Sequence, residues 1–139
     1  MPPLTVPGTL DSLGPIREYV RAAAAEARLD RKRAYRLELA VDEIATNIAN
    51  HGYNEAGRTG EIVVHAVIDA AALTITLADT AVPFDPRRLQ RPDQIDLPLA
   101  ERPMGGLGIF LVMENVDEFR YEYVDGRNRN IFVMKRMAS

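Results

Sequence analysis

The chain has 139 residues and a mass of 15.5 kDa, within the usual range of one domain, and halving it would leave two marginal cores. With 47% hydrophobic and 27% charged residues it falls outside the disordered, collagen-like and coiled-coil classes. Its lack of cysteine excludes a disulfide framework, a thiolate nucleophile and Cys-ligated metal sites, and 17 Lys+Arg against 20 Asp+Glu give a net charge of −3, without the basic footprint of a nucleic-acid binder.

In chain order, residues 2–8 are short, proline-flanked and partly β-prone, which predicts an edge strand or extended arm. The alanine-rich stretch 10–29 places Leu13, Ile16, Val20, Ala24 and Ala27 near helical spacing and predicts a first amphipathic helix, with Asp11 or Ser12 as its cap. A second helix is predicted over 30–50, with a stripe of Tyr35, Leu37, Leu39, Val41, Ile44, Ile48 and Ala49 and a stop at Gly52. The β-branched runs 61–68 and 73–78, joined by a turn at Asp69 and Ala70, predict an antiparallel hairpin with one buried face. Between Pro83 and Pro103 lie five prolines and four arginines, the pattern of a long loop, and in a compact domain loops of that length are usually functional. The run Gly105 to Gly108 then opens a short apolar helix through Ile109 and Met113, and strands over 117–124 and 130–136 follow, joined at Asp125 to Asn128. The order βααββ(loop)αββ predicts a two-layer α/β sandwich, helices packed on one face of a mostly antiparallel sheet.

No stretch reaches the roughly 20 apolar residues that span a bilayer; the run 37–50 is broken by Glu38, Asp42, Glu43 and Asn47. The opening MPPLTVPGTLDSLG has neither a basic leader nor an apolar segment after it. A soluble cytoplasmic protein is the expectation.

Three groups of residues could carry chemistry. Glu43 and Asn47 are four residues apart and therefore share one helix face beside Val41, Ile44 and Ile48. They offer a general base one turn from a hard-oxygen ligand suited to Mg²⁺, or else they simply face solvent at a helix edge. Asp79 ends a strand, as a turn former or as a buried carboxylate accepting a hydrogen bond from a base amino group. Gly105, Gly106 and Gly108 precede or open a helix, whose free N–H groups suit a phosphate; the alternative is a sharp loop-to-helix turn. The glycines match neither the Walker nor the Rossmann pattern.

The run Leu39 to Tyr53 (LAVDEIATNIANHGY), followed by Asp79-x-x-x-Pro-Phe-Asp-Pro86 and then Gly106-Leu-Gly108, resembles the GHKL ATPase/kinase superfamily. More narrowly it resembles the small anti-sigma-factor serine-protein kinases of bacteria, over nearly the whole chain. The resemblance implies an α+β, Bergerat-type ATP-binding fold over 1–139, with a mostly antiparallel mixed sheet and ATP and Mg²⁺ as cofactors. It implies Glu43 as the base that activates the attacking hydroxyl or a water, Asn47 as the Mg²⁺ ligand and Asp79 as the adenine contact, with Ala81 beside it. Gly105, Gly106, Leu107 and Gly108 would cradle phosphates, 86–104 would form the lid, and Arg102 in it is a candidate phosphate contact or a solvated loop arginine.

The function implied is a protein serine kinase that phosphorylates an anti-sigma-factor antagonist and sequesters a sigma factor, as a homodimer without direct nucleic-acid or membrane contact. A sensor histidine kinase is disfavoured, because its acceptor lies on a separate helix hairpin for which the chain has no room; His51 is expected to cap or support the site, and His65 to lie in the sheet. Two positions depart from the family pattern. Ala81 stands where a Gly is usual, adding a methyl group and losing easy access to positive φ. The last strand, Ile131-Phe132-Val133-Met134, offers no hydroxyl where an adenine-binding Thr is common, with Val133 as the expected replacement. Both are expected to reduce nucleotide affinity, and a nucleotide-impaired protein-binding module in a partner-switching pathway is the alternative; a stand-alone ATPase is a third reading.

Overall fold

A computed structural model describes residues 1–89 and 106–136. The elements run β1 (Leu4–Pro7), α1 (Leu13–Glu26), α2 (Arg31–Asn47), β2 (Glu61–Ile68), β3 (Ala72–Asp79), α3 (Gly106–Asn115), β4 (Glu118–Val124) and β5 (Arg127–Lys135). The five strands form one sheet in the order β1-β2-β3-β5-β4, and all four pairings are antiparallel. The fold is α+β, as the element order implied.

Strand register fixes the two faces of the sheet. Period-two alternation turns Ile62, Val64 and Ala66 of β2 and Leu73, Ile75 and Leu77 of β3 inward, all fully buried. Across β5 the inward set is Asn128, Asn130, Phe132 and Met134, with Phe132 tilted against Phe119 of β4 at a ring separation of 5.2 Å. Helices α1 and α2 pack on this face through Ile16, Val20, Leu37, Val41 and Ile44, and α3 lies along α2. Among the described residues no helix covers the other face, where exposed His65 sits.

Local chemistry explains the joints. Asp125 and Gly126, with φ of 54° and 75°, make the two-residue β4–β5 turn, the left-handed pair that a tight hairpin requires. Asp69 Oδ1 accepts from the N–H groups of Ala71 and Ala72 and closes the β2–β3 hairpin. Asp30 caps α2 by accepting from the Arg33 N–H at 2.8 Å. Neither Asp11 nor Ser12 caps α1 as expected. The Ser12 hydroxyl donates instead to the Pro7 carbonyl at 2.6 Å, and a short 3₁₀ turn, Leu10–Ser12, leads into the helix.

Two expectations for the second helix change. Tyr35 and Leu39 are 60% and 43% exposed, so the buried stripe is Leu37, Ala40, Val41, Ile44 and Ala45. Gly52 does not stop the helix: past Asn47 the chain widens into a π-helical segment, Ile48–Asn54, and the left-handed residue comes later, at Gly57 with φ 66°. Tyr53 at its end is buried, and its hydroxyl donates to the Glu61 carbonyl at 2.7 Å and accepts from the Thr80 N–H at 2.9 Å. The π turn thereby reaches the end of β3, where the candidate site lies.

Candidate active site

The site is built where the carboxyl end of β3 meets the last turns of α2. A narrow pocket with about 20 Å³ of free volume opens there, its walls including Asn47 and Ile48 from the helix, Asp79 and Ala81 after β3, and Asn128 and Asn130 from β5. Its mostly apolar walls carry a few fixed polar groups, the usual makeup of small-molecule sites.

Asp79 is 3% exposed and carries the site's electrostatics. Its Oδ1 accepts from the Ala81 N–H and from Asn128 Nδ2, both at 2.9 Å, whereas its Oδ2 is buried with no hydrogen-bond partner among the described residues. Burial pushes its carboxyl above the usual range, and the bonds from Asn128 and Ala81 offset part of that rise. A buried acceptor without a donor is costly and native structures rarely tolerate it, so Oδ2 fits a ligand that brings an N–H. Adenine does so through its 6-amino group, and the residues present therefore fit the nucleotide that the resemblance implies.

Asn128 holds this arrangement. Its Nδ2 also lies within hydrogen-bond distance of the carbonyls of Ala81 (3.2 Å) and Val82 (3.1 Å). Its Oδ1 accepts from the Phe84 N–H at 3.1 Å and from the Tyr121 hydroxyl. One side chain thus ties the loop after β3 to β5. The sequence pattern puts Asn128 in the turn before β5; in the structure it is the inward residue opposite Asp79.

Ala81 does not need the conformational freedom of glycine. It lies outside the positive-φ residues of the chain, is 3% exposed, and a Cβ added at Gly52 would stand 2.9 Å from its methyl group. The missing side chain at Gly52 therefore makes room for the extra one at Ala81. Gly52→Ala is expected to lower stability by about 1–3 kcal/mol, because the Ala81 methyl is fixed to the backbone and cannot swing aside. Thermal unfolding of Gly52→Ala and of Gly52→Ala/Ala81→Gly checks this: the double variant should recover most of the loss, and additive losses would show that the two positions are not coupled.

Val133 does not stand at the adenine position expected for it. It pairs with Thr74 on the outer face, and the β5 residue that reaches the pocket wall beyond Asn128 is Asn130. The fault was one of phase, since adjacent residues of a strand point to opposite faces.

Glu43 is half-buried on α2, one turn before Asn47. Burial raises its pKa, Asp42 raises it further, and the field of His51 lowers it. His51 pairs with Glu55 through Nδ1, a supporting position close enough to act on Glu43. Asn47 lines the pocket, whereas Glu43, one turn earlier on the same helix, is not among its lining residues. Helix α3 begins at Gly106 and includes Leu107 and Gly108; it packs against α2 and against the short turn Pro86–Leu89, whose Pro86 borders the pocket. Arg102, Gly105 and most of the expected lid lie outside the described residues.

Residues 6–135 match the histidine kinase-like ATPase domain. The chain belongs to that family. Among its relatives, the "Serine-protein kinase RsbW" of Bacillus cereus (strain ATCC 10987 / NRS 248) is 32% identical over 93 residues, which is 65% of this chain and 57% of that protein. The protein of the same name from Bacillus thuringiensis (strain Al Hakam) gives the same identity and coverage. This histidine kinase-like ATPase domain thus spans 57% of the length of the curated relatives it matches. Among its described residues no helix is long and apolar enough to cross a membrane.

Proposed function

We propose that residues 1–139 form a single nucleotide-binding domain acting as an ATP- and Mg²⁺-dependent protein serine kinase. Its acceptor would be an anti-sigma-factor antagonist, and it would sequester a sigma factor as a cytoplasmic homodimer. The observation that carries the nucleotide part is the buried, unpartnered Oδ2 of Asp79 in a pocket walled by Asn47 and Asn128. The serine-kinase part is supported by the names of the relatives and by the half-buried base on the same helix.

In this reading bound ATP supplies the transferable phosphoryl group, and Mg²⁺ supplies charge that screens its oxygens. Asp79 accepts from the base, and Asn47 offers its carboxamide oxygen to the metal. The backbone N–H groups of Gly106, Leu107 and Gly108 at the start of α3 face the phosphates, where a helix amino terminus favours negative charge. Gly105 and Arg102, which lie outside the described residues, are proposed as further phosphate contacts on the strength of the resemblance alone. Glu43 would take the proton from the acceptor serine hydroxyl, whose oxygen would bond to the γ-phosphorus as the bond from that phosphorus to the departing ADP breaks. Such a reaction asks a protein mainly for positioning, a base and charge stabilisation.

A nucleotide-impaired binding module drew its support from Ala81 and Val133. With Ala81 housed beside Gly52 and Val133 on the outer face, neither weighs toward it.

Thermal unfolding with and without ATP and Mg²⁺ tests the reading. Ligand at about 100 times its dissociation constant should stabilise the chain by roughly 2.7 kcal/mol, a rise of several degrees in midpoint. Transfer of labelled phosphate from ATP to a purified antagonist protein tests the acceptor; no Mg²⁺-dependent shift would sink the nucleotide site, and a shift without transfer would sink the acceptor.

A further inference from the structure

Helix α2 carries an exposed apolar stripe on the side away from the core. Tyr35 and Leu39, 60% and 43% exposed, stand one turn apart, while Leu37, Ala40, Val41, Ile44 and Ala45 fill the buried side. Glu43 follows Leu39 by one more turn, so the three lie along a line about 12 Å long. The charges around this line are sorted. The acids of α2 on the side of α1 are each answered by an arginine of that helix, Asp42 by Arg17 and Glu38 by Arg21, both at 2.7 Å. Arg33 is held by Asp117 and the Lys135 carbonyl. Arg31, Lys32 and Arg36 are exposed, as is Arg28 in the loop before the helix, and among the described residues none of the four forms an ion pair.

Local stability does not explain these cations. Arg31 and Lys32 stand in the first turn of α2, where the helix dipole disfavours positive charge. Arg28 holds the left-handed conformation that ends α1, with φ of 60°, a place that glycine fills more easily. In a chain of net charge −3 they make one basic region, set at the end of an apolar line whose other end is Glu43. Such a surface complements an acidic protein face with a small apolar centre. Resting on the kinase reading above, we propose that this stripe of α2 is where the acceptor protein docks. Its apolar side chains cover Tyr35 and Leu39, its acidic side chains meet Arg28, Arg31, Lys32 and Arg36, and its serine comes to Glu43. The acidic cluster of the acceptor then lies roughly 15 Å from that serine, the length of helix between the cations and the base. Two apolar side chains make a small contact, so docking is steered by charge and reversible, as turnover of a protein substrate requires.

The test uses the purified antagonist protein that takes labelled phosphate from the unaltered chain. Initial rates at saturating ATP and Mg²⁺ give KM and kcat for Arg31→Glu/Lys32→Glu/Arg36→Glu, Tyr35→Ser/Leu39→Ser and Arg28→Gly. The first two should each raise KM for the antagonist by about tenfold or more, with kcat and the ATP-dependent rise in unfolding temperature unchanged. Arg28→Gly should raise KM a few-fold and yet unfold at no lower temperature than the unaltered chain, because glycine suits the left-handed turn. Added salt should lower kcat/KM of the unaltered chain and leave that of the charge-reversed variant nearly flat. An unchanged KM in either of the first two variants would overturn the proposal while the kinase reading stands. If such a variant instead lowers the sedimentation mass of the chain, or its binding to phosphatidylglycerol vesicles, the face belongs to a second copy or to a membrane. Failure of the unaltered chain to phosphorylate any antagonist would overturn the kinase reading and this proposal together.

Discussion

Glu43→Gln is expected to cut phosphoryl transfer to the protein acceptor by roughly 10²–10⁴-fold, the usual contribution of a positioned general base, while leaving the stabilisation by ATP and Mg²⁺ nearly unchanged. The substitution keeps the shape of the side chain and removes only its ability to take a proton. Glu43 is absent from the pocket wall that holds Asp79 and Asn130, so the base-recognition groups stay as they are. Its environment suits the task. Half-burial disfavours its charged form and Asp42 adds like-charge repulsion, so the carboxylate is a stronger base than a solvated glutamate. Only the ionised form accepts a proton, and in the unaltered chain transfer should therefore rise with pH through a pKa above the ordinary glutamate range. That limb should be missing from the residual activity of Glu43→Gln. Labelled transfer as a function of pH, run beside thermal unfolding with nucleotide, separates the outcomes: full transfer by the variant would remove Glu43 from the chemistry, and a lost thermal shift would make it a binding residue.

The parts of the fold that were legible in the sequence are those set by local rules. The β2–β3 runs alternate cleanly, Asp125-Gly126 is a strong two-residue turn signal, and the apolar stretch after Gly108 is helical. The places of Glu43 and Asn47 on α2 and of Asp79 at the end of β3 were legible because each element's phase is fixed by neighbours of obvious polarity. The misread positions depend on phase or on distant partners. The sequence pattern starts β5 three residues late, which puts Asn128 in a turn and Asn130 at the strand end and sets the expected adenine contact at Val133, on the opposite face. In this strand the polar residues at alternate positions, Asn128 and Asn130, face inward against the usual pattern, and that inversion was the available signal of a site. The π-helical turn at Ile48–Asn54 leaves no periodic mark, so Gly52 looked like a stop when its function is to admit the methyl group of Ala81. That relation spans two elements far apart in sequence and becomes visible only in three dimensions.

Asp79→Asn is expected to separate binding from stability. Asparagine can keep both existing bonds, because its Oδ1 can accept from Ala81 and Asn128 as the carboxylate does. Its amide nitrogen then takes the place of the unpartnered Oδ2 and points a donor at the 6-amino group of adenine, itself a donor. A lost hydrogen bond to a charged acceptor is worth about 1.5–3 kcal/mol, so affinity for ATP should fall by roughly tenfold to more than a hundredfold, and the nucleotide-dependent rise in midpoint should vanish at concentrations that shift the unaltered chain. The ligand-free variant should be at least as stable as the unaltered chain at neutral pH. Burial raises the pKa of Asp79 in the folded state, so the native state binds more protons than the unfolded one between the ordinary aspartate value and the raised one. Stability from this group is present below the ordinary value and is lost as pH rises through the raised one. At neutral pH, above the ordinary aspartate value, Asp79 therefore opposes folding, and the amide removes that burden. Glu43 is shifted in the same direction, so Asp79→Asn should flatten the fall of stability with rising pH without abolishing it. Denaturant unfolding across pH, with and without ATP and Mg²⁺, reads all of these effects; a variant that is destabilised at neutral pH, or that keeps the nucleotide shift, would show that Asp79 holds the fold together instead of standing ready for a base.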